Sequence, residues 1–125
     1  MNVQRTSIET AIGTLYPLAS AKGLCGLIFG ERSQRTEAHL SRHLGNWHVE
    51  QVDDIPAVTP HLLAYFEGDL NALSRIPIDL YGTQFQLRVW AGLRNIPIGH
   101  TLSYGQLAQS IGNPRAYRAV AQANA

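Results

Sequence analysis

The sequence predicts an α+β chain, with a small N-terminal αβ lobe of antiparallel strands followed by an all-helical lobe built on a helix-turn-helix. Three observations carry this. Residues 13–29 hold two apolar runs of strand length around Ser20-Ala21-Lys22-Gly23, the pattern of a hairpin. Residues 83–95 and 103–111 change to helical spacing, and each stretch opens on the same Thr/Ser-x-x-Gln box. Charge also divides along the chain: residues 1–80 carry nine acids against six bases, whereas residues 81–125 carry no acid against four arginines, Arg88, Arg94, Arg115 and Arg118. With 125 residues and 45% apolar content the chain can bury one compact core or two small ones, which argues against disorder.

In chain order, Gly13–Ala19 and Leu24–Phe29 are read as the hairpin strands, and Glu31–Leu44 as an amphipathic helix with Arg32, Arg35, Glu37 and Arg42 on its wet side. Trp47–Val52 is read as a further strand. Thr59 is placed as N-cap and Pro60 as first residue of a short helix through Tyr65 and Phe66, ended by Gly68. The Asn71–Leu80 stretch is taken as the junction, giving lobes 1–77 and 78–125.

In the second lobe Thr83 and Gln86 form a capping box for a helix to about Asn95, which turns inward some of Phe85, Val89, Trp90 and Leu93. Pro97 and Gly99 then turn the chain. Ser103 and Gln106 repeat the box for a helix with Leu107, Ala108 and Ile111 inside, and Gly112 suits a left-handed cap. Asn113 is read as the N-cap and Pro114 as the first residue of a third helix. That helix is thin, through Ala116, Ala119, Ala121, Ala123 and Ala125, and carries Arg115 and Arg118. An acid-free, arginine-bearing helix-turn-helix points to a polyanionic partner.

The first lobe offers little chemistry. Cys25 is the lone cysteine, which excludes a disulfide framework and any multi-cysteine zinc site. It lies in an apolar run with no base nearby to make thiolate, and reads as a core residue. His39 and His43 share a helix face but complete no metal-ligand pattern, and Asp53-Asp54 reads as a turn. No signal peptide and no apolar stretch of membrane-spanning length is seen, so a soluble, cytoplasmic chain is expected, with no membrane partner.

Several strings occur in one register: Gly82-Thr83-Gln84-Phe85-Gln86, Val89-Trp90, Ile96-Pro97, Ser103-Tyr104-Gly105-Gln106-Leu107-Ala108, Gly112-Asn113-Pro114-Arg115-Ala116 and Arg118-Ala119-Val120. Together they resemble the O6-alkylguanine-DNA alkyltransferases. Gly23-Leu24-Cys25-Gly26-Leu27 and Leu63-Ala64-Tyr65-Phe66-Glu67-Gly68 add a weaker similarity. The resemblance implies a ribonuclease-H-like N-terminal lobe, a winged-helix-like C-terminal lobe, and direct DNA repair, in which an alkyl group moves from a flipped guanine to a protein cysteine.

It also implies double-stranded DNA as partner, bound by a monomer through the minor groove, with no cofactor and no metal. Carried over by motif position, Arg118 would fill the gap in the base stack and Tyr104 would press the phosphate that rotates the nucleotide. Ser103, Gln106, Arg115, Ala116 and Ala119 would line the DNA surface.

The family's acceptor sequence, Pro-Cys-His-Arg, would come after the third helix and is absent from these residues, so no catalytic residue is assigned and the chain is expected to be transfer-inactive. The same absence suggests that about 200 Å² around Phe85, Val89 and Trp90 goes uncovered, costing about 5 kcal/mol, so that the second lobe is marginal and its last helix frays. Two alternatives stand beside this reading. One is an alkyltransferase-like protein that binds alkylated DNA without repairing it; the other is a plain helix-turn-helix regulator.

Overall fold

The computed structural model describes residues 2–30 and 34–124, and the chain forms two compact units, Met1–Tyr81 and Gly82–Ala125. The expected start of the first helix at Glu31, with Arg32, lies outside the described residues, as does Ala125. Architecture is α+β. The first unit is built from β1 (Asn2–Arg5), β2 (Ile8–Thr10), β3 (Gly13–Ser20), β4 (Gly23–Phe29), α1 (Gln34–Leu44), β5 (His48–Gln51) and α2 (Thr59–Phe66), then a 3-10 turn at Ala72–Arg75. The second holds α3 (Gln84–Arg94), α4 (Tyr104–Ser110) and α5 (Tyr117–Ala123).

The hairpin is present: β3 and β4 pair antiparallel from Leu15↔Phe29 to Ser20↔Gly23. β3 also pairs antiparallel with β2 and with β1. The expected antiparallel strands are thus present, and a parallel neighbour joins them to make the sheet mixed. β5 comes after the crossover through α1 and lies parallel to β1, with Val3 opposite Val49, and parallel neighbours require such a connection.

Side chains alternate across β3, so its neighbours go to opposite faces. Leu18 joins Val3, Ile28 and Leu40 of α1 in one cluster, with Cys25 packed at its edge. Ala19 joins Ile8, Ile55, Val58 and Leu62 of α2 in the other. Thus one strand seats a helix on each side of the sheet. Thr6, buried between β1 and β2, is satisfied because its hydroxyl donates to the carbonyl of Asp53 at 3.1 Å. That carbonyl lies in the loop where Asp53-Asp54 was expected to turn.

The Thr59 cap is corrected. Val58 is the N-cap of α2, one residue earlier than expected, and the Thr59 hydroxyl accepts from the Ile55 N–H at 3.1 Å. The hydroxyl therefore tightens the preceding loop. Gly68 does end the helix, at a φ of 108°, with its N–H on Tyr65 O and that of Asp69 on Ala64 O.

The division falls at Tyr81, a little beyond Pro77, for a visible reason. Leu24 N–H donates to Pro77 O and Asp79 N–H to Leu24 O, both at 2.8 Å, so 77–79 adds a short parallel bridge to β4. A Cβ on Gly23 would lie 2.5 Å from Pro77 O, and only glycine permits that approach. The Asp79 carboxylate then accepts from the hydroxyls of Ser20 and Tyr81. His39 Nε2 lies 2.6 Å from Tyr81 O, a further tie from α1.

Both features of this unit can be measured. Leu18→Ala is expected to lower its stability by about 3 kcal/mol in urea unfolding, because the vacated volume lies between packed elements. The hydrogen bond to Asp79, with smaller help from burial, lifts the Tyr81 phenol from its ordinary value near 10 to about 12. Its contribution is complete below pH 10, where the unfolded chain also keeps the proton, and is lost as pH rises through about 12. Alkaline unfolding should show this drop in the wild type and a smaller one in Tyr81→Phe.

Candidate nucleic-acid interface

Both expected capping boxes form. Thr83 Oγ1 accepts from the Gln86 N–H at 3.1 Å while Gln86 Oε1 accepts from the Thr83 N–H at 2.9 Å. Ser103 and Gln106 make the same pair at 3.0 and 2.8 Å. These bonds define the start of α4 and leave Tyr104, its first residue, 52% exposed. Ser103 and Gln106 are exposed as well, though their oxygens are already engaged at the cap.

α4 ends in a two-bond turn. Gly112, at a φ of 83°, donates to Gln109 O at 3.0 Å, and Asn113 donates to Ala108 O at 2.9 Å. This is a Schellman arrangement, and the positive φ explains the glycine. The start of the third helix departs from the sequence-based expectation. Asn113 does not cap a helix starting at Pro114; its carbonyl accepts from the Ala116 N–H at 3.0 Å, closing a separate turn, and α5 begins at Tyr117 with Ala116 as N-cap. Arg115 therefore sits in the turn, while Arg118 lies on the first turn of α5.

The three helices close on Val89, Leu107, Ala108 and Val120, which are at most 2% exposed. Val89, one of the side chains read as candidates for the inner face, is fully enclosed. Phe85, Trp90 and Ala123 flank the cluster, and the Trp90 indole N–H donates to Ala123 O at 3.0 Å. Leu93, one of the four side chains of which some were expected inside, is 37% exposed. Gly92 sets the approach of α3 to α4: a Cβ there would stand 2.9 Å from Leu107 Cδ1 and 3.2 Å from Ile111 Cγ2.

With those faces sealed, Arg115, Arg118 and Ala119 are exposed, whereas Ala116, Ala121 and Ala123 are half-buried. The thin face of α5 is thus narrower than its alanine content suggests, because the other alanines pack inward. The Arg118 guanidinium lies 5.8 Å from the centroid of the Tyr117 ring, itself 49% exposed, within cation–π range. Sequence reasoning missed Tyr117; its signal is an aromatic beside an arginine in an otherwise small-residue helix. Arg88 counted there as surface charge, yet its guanidinium donates to Ile111 O.

A cavity of about 510 Å³ lies against α3, lined in part by Arg88, Gly92, Asn95, His100, Leu102 and Ile111. It includes neither Tyr104 nor Arg118. Among the described residues no three His, Cys, Asp or Glu side chains gather where a metal could sit, and no helix is long and apolar enough to cross a membrane. Cys25 is in the other unit, half-buried beside Leu18, where burial pushes its thiol up.

Comparison with known proteins gives two family matches. Residues 84–125 match the family model described as 6-O-methylguanine DNA methyltransferase, DNA binding domain, and residues 3–80 match its ribonuclease-like domain. A methylated-DNA–protein-cysteine methyltransferase of Methanosarcina mazei is 39% identical over 113 residues, covering 88% of this chain and 67% of the relative. One from Shigella flexneri is 36% identical over 123 residues, covering 94% and 70%. Among solved structures, Mycobacterium tuberculosis O6-methylguanine methyltransferase superposes with a TM-score of 0.74 at 34% identity, covering 98% of this chain and 69% of that one. The Mycobacterium tuberculosis protein OGT in complex with DNA gives 0.73 at the same identity and coverage.

The protonated, half-buried state of Cys25 has a measurable consequence. Its alkylation by iodoacetamide at pH 8 should run slower in the folded chain than in urea, since only the thiolate attacks and burial also limits access to the sulfur. Equal rates would mean that burial does not protect the sulfur.

Proposed function

We propose that this chain, which belongs to the 6-O-methylguanine DNA methyltransferase family, is a DNA-repair protein that engages duplex DNA carrying O6-alkylguanine through residues 103–119. The observation that carries this reading is the joint exposure of Tyr104 and Arg118 on helices whose inner faces meet in one sealed cluster. Side chains held on such a frame keep their places while the duplex is distorted. Arg118 has the chemistry of a group that occupies a vacated base position: a planar, permanently charged guanidinium can stack and donate at once. Flipping a base costs a few kcal/mol of lost stacking, which that occupancy offsets.

Approach is through the minor groove, with one molecule per lesion. There Ala119 leaves room for close contact and Arg115 faces the backbone from the turn before α5. Ser103 and Gln106 border the same surface, and Ala116 starts the helix that presents it. Tyr104 presses on the phosphate beside the lesion. The absence of acids over residues 81–125 leaves the arginine field unopposed within this unit and favours a polyanion.

Within these 125 residues, recognition and alkyl acceptance are separable. The only cysteine is Cys25, a half-buried thiol in the first unit whose pKa burial raises. It lacks the thiolate character that attack on an alkyl carbon requires. Cys25 is therefore assigned no part in alkyl transfer, and lesion binding is the role these residues are proposed to carry.

Two measurements test the reading. In a duplex with labelled O6-methylguanine the label should stay on the DNA; its appearance on Cys25 would overturn the assignment of that residue. In titrations at fixed salt, the alkylated duplex should bind more tightly than the unmodified one, and Arg118→Ala should lose roughly tenfold in affinity together with that preference. Retention of the preference in the variant would remove Arg118 from its role, and tight sequence-specific binding without damage preference would favour a regulator.

A further inference from the structure

We infer that Arg88 is a positioning residue for DNA recognition, acting through the end of α4 without touching the duplex; this rests on the DNA-binding reading above. Arg88 extends from α3, and its guanidinium donates to the carbonyl of Ile111, the C-cap residue of α4. That carbonyl belongs to the last turn of the helix, where acceptors lack intrahelical donors and the helix dipole is negative. A charged donor fits there on both counts, and a charge-assisted bond is the stronger kind.

Its place in the chain matters more than its strength. Ile111 immediately precedes Gly112, whose left-handed φ turns the chain toward the Asn113–Ala116 turn and then α5. A Cβ on Gly112 would come within 3.9 Å of the Arg88 terminal nitrogen, so the guanidinium stands over the turn itself. The same turn carries Arg115 and leads to Arg118. One turn further along the same face of α3, Gly92 lets Leu107 and Ile111 come close to that helix. Arg88 and Gly92 thus hold the end of α4 to α3 from two points, one polar and one steric.

Consequently Arg88 sets the direction in which the chain leaves α4, and with it the aim of Arg115 and Arg118. Its guanidinium keeps its charge but is held on a carbonyl of its own unit, so it makes no direct phosphate contact. This separates it from an arginine that contacts DNA.

The test uses the full chain, with Arg88→Met, Arg88→Lys and Arg115→Gln, under conditions where thermal scans show every variant folded. Amide exchange is read without DNA. In Arg88→Met the amides of Gly112 and Asn113, which donate to Gln109 and Ala108, should exchange faster while that of Val89 does not. Affinity for alkylated duplex should fall roughly tenfold with the salt slope unchanged, and Arg88→Lys, which keeps a charged donor, should recover most of the loss. Arg115→Gln should instead reduce the slope by about one, the signature of a lost phosphate contact.

Unchanged exchange at Gly112 and Asn113 overturns the inference whatever the DNA data show. A reduced slope in Arg88→Met also overturns it, by making Arg88 a direct contact. If wild type and Arg88→Met bind equally, the inference fails alone. If the wild type shows no affinity for alkylated duplex, the parent reading fails first.

Discussion

Burial of Val89 against Leu107, Ala108 and Val120 is the constraint on which the C-terminal unit rests. α4 and α5 have seven residues each, well below the length at which a helix is stable by itself in water. Their existence therefore depends on the apolar contact, and each is clamped at an end by a specific device. The Ser103–Gln106 box starts α4 and the Gly112 turn stops it. For α5 the tie is at the far end, where Trp90 binds Ala123 O. The four arginines of the unit are then left exposed.

This arrangement links fold to function directly. The inner faces of the helices are small or aliphatic, so the frame needs no buried ion pair, and the arginines are available for an external anion or for a backbone carbonyl. In the first unit the logic is different. β3 seats α1 through Leu18 and α2 through Ala19, making a two-faced sheet whose closing strap, 77–81, is held by backbone bonds to Leu24 and by Asp79. That strap leads directly into the Thr83 cap.

Features governed by local rules were legible. The β3–β4 hairpin, both capping boxes and the Gly68 and Gly112 stops arise from side chains and φ preferences acting over three or four residues. The lapses came where other partners compete. Thr59 has cap chemistry, yet the Ile55 N–H takes its hydroxyl and Val58 becomes the cap of α2. Asn113-Pro114 has helix-start chemistry, yet the carbonyl of Asn113 closes a turn with Ala116 and postpones α5 to Tyr117. β1 and β2 are short, with four and three residues, too few for periodicity to register.

By itself the sequence determined the class of the fold, the order of its main elements, the acid-free charge of the second unit and the family whose motifs it carries, since all of these are written in local pattern and composition. Tertiary structure alone decided that β5 lies parallel to β1, that Val89 is sealed, and that most alanines of α5 face inward while Arg118 sits beside Tyr117 in solvent. It alone also engaged Arg88 with Ile111. The physical reason is the same in each case: a side chain's surroundings are selected by which surfaces of distant parts of the chain exclude water together, and no local spacing encodes that choice.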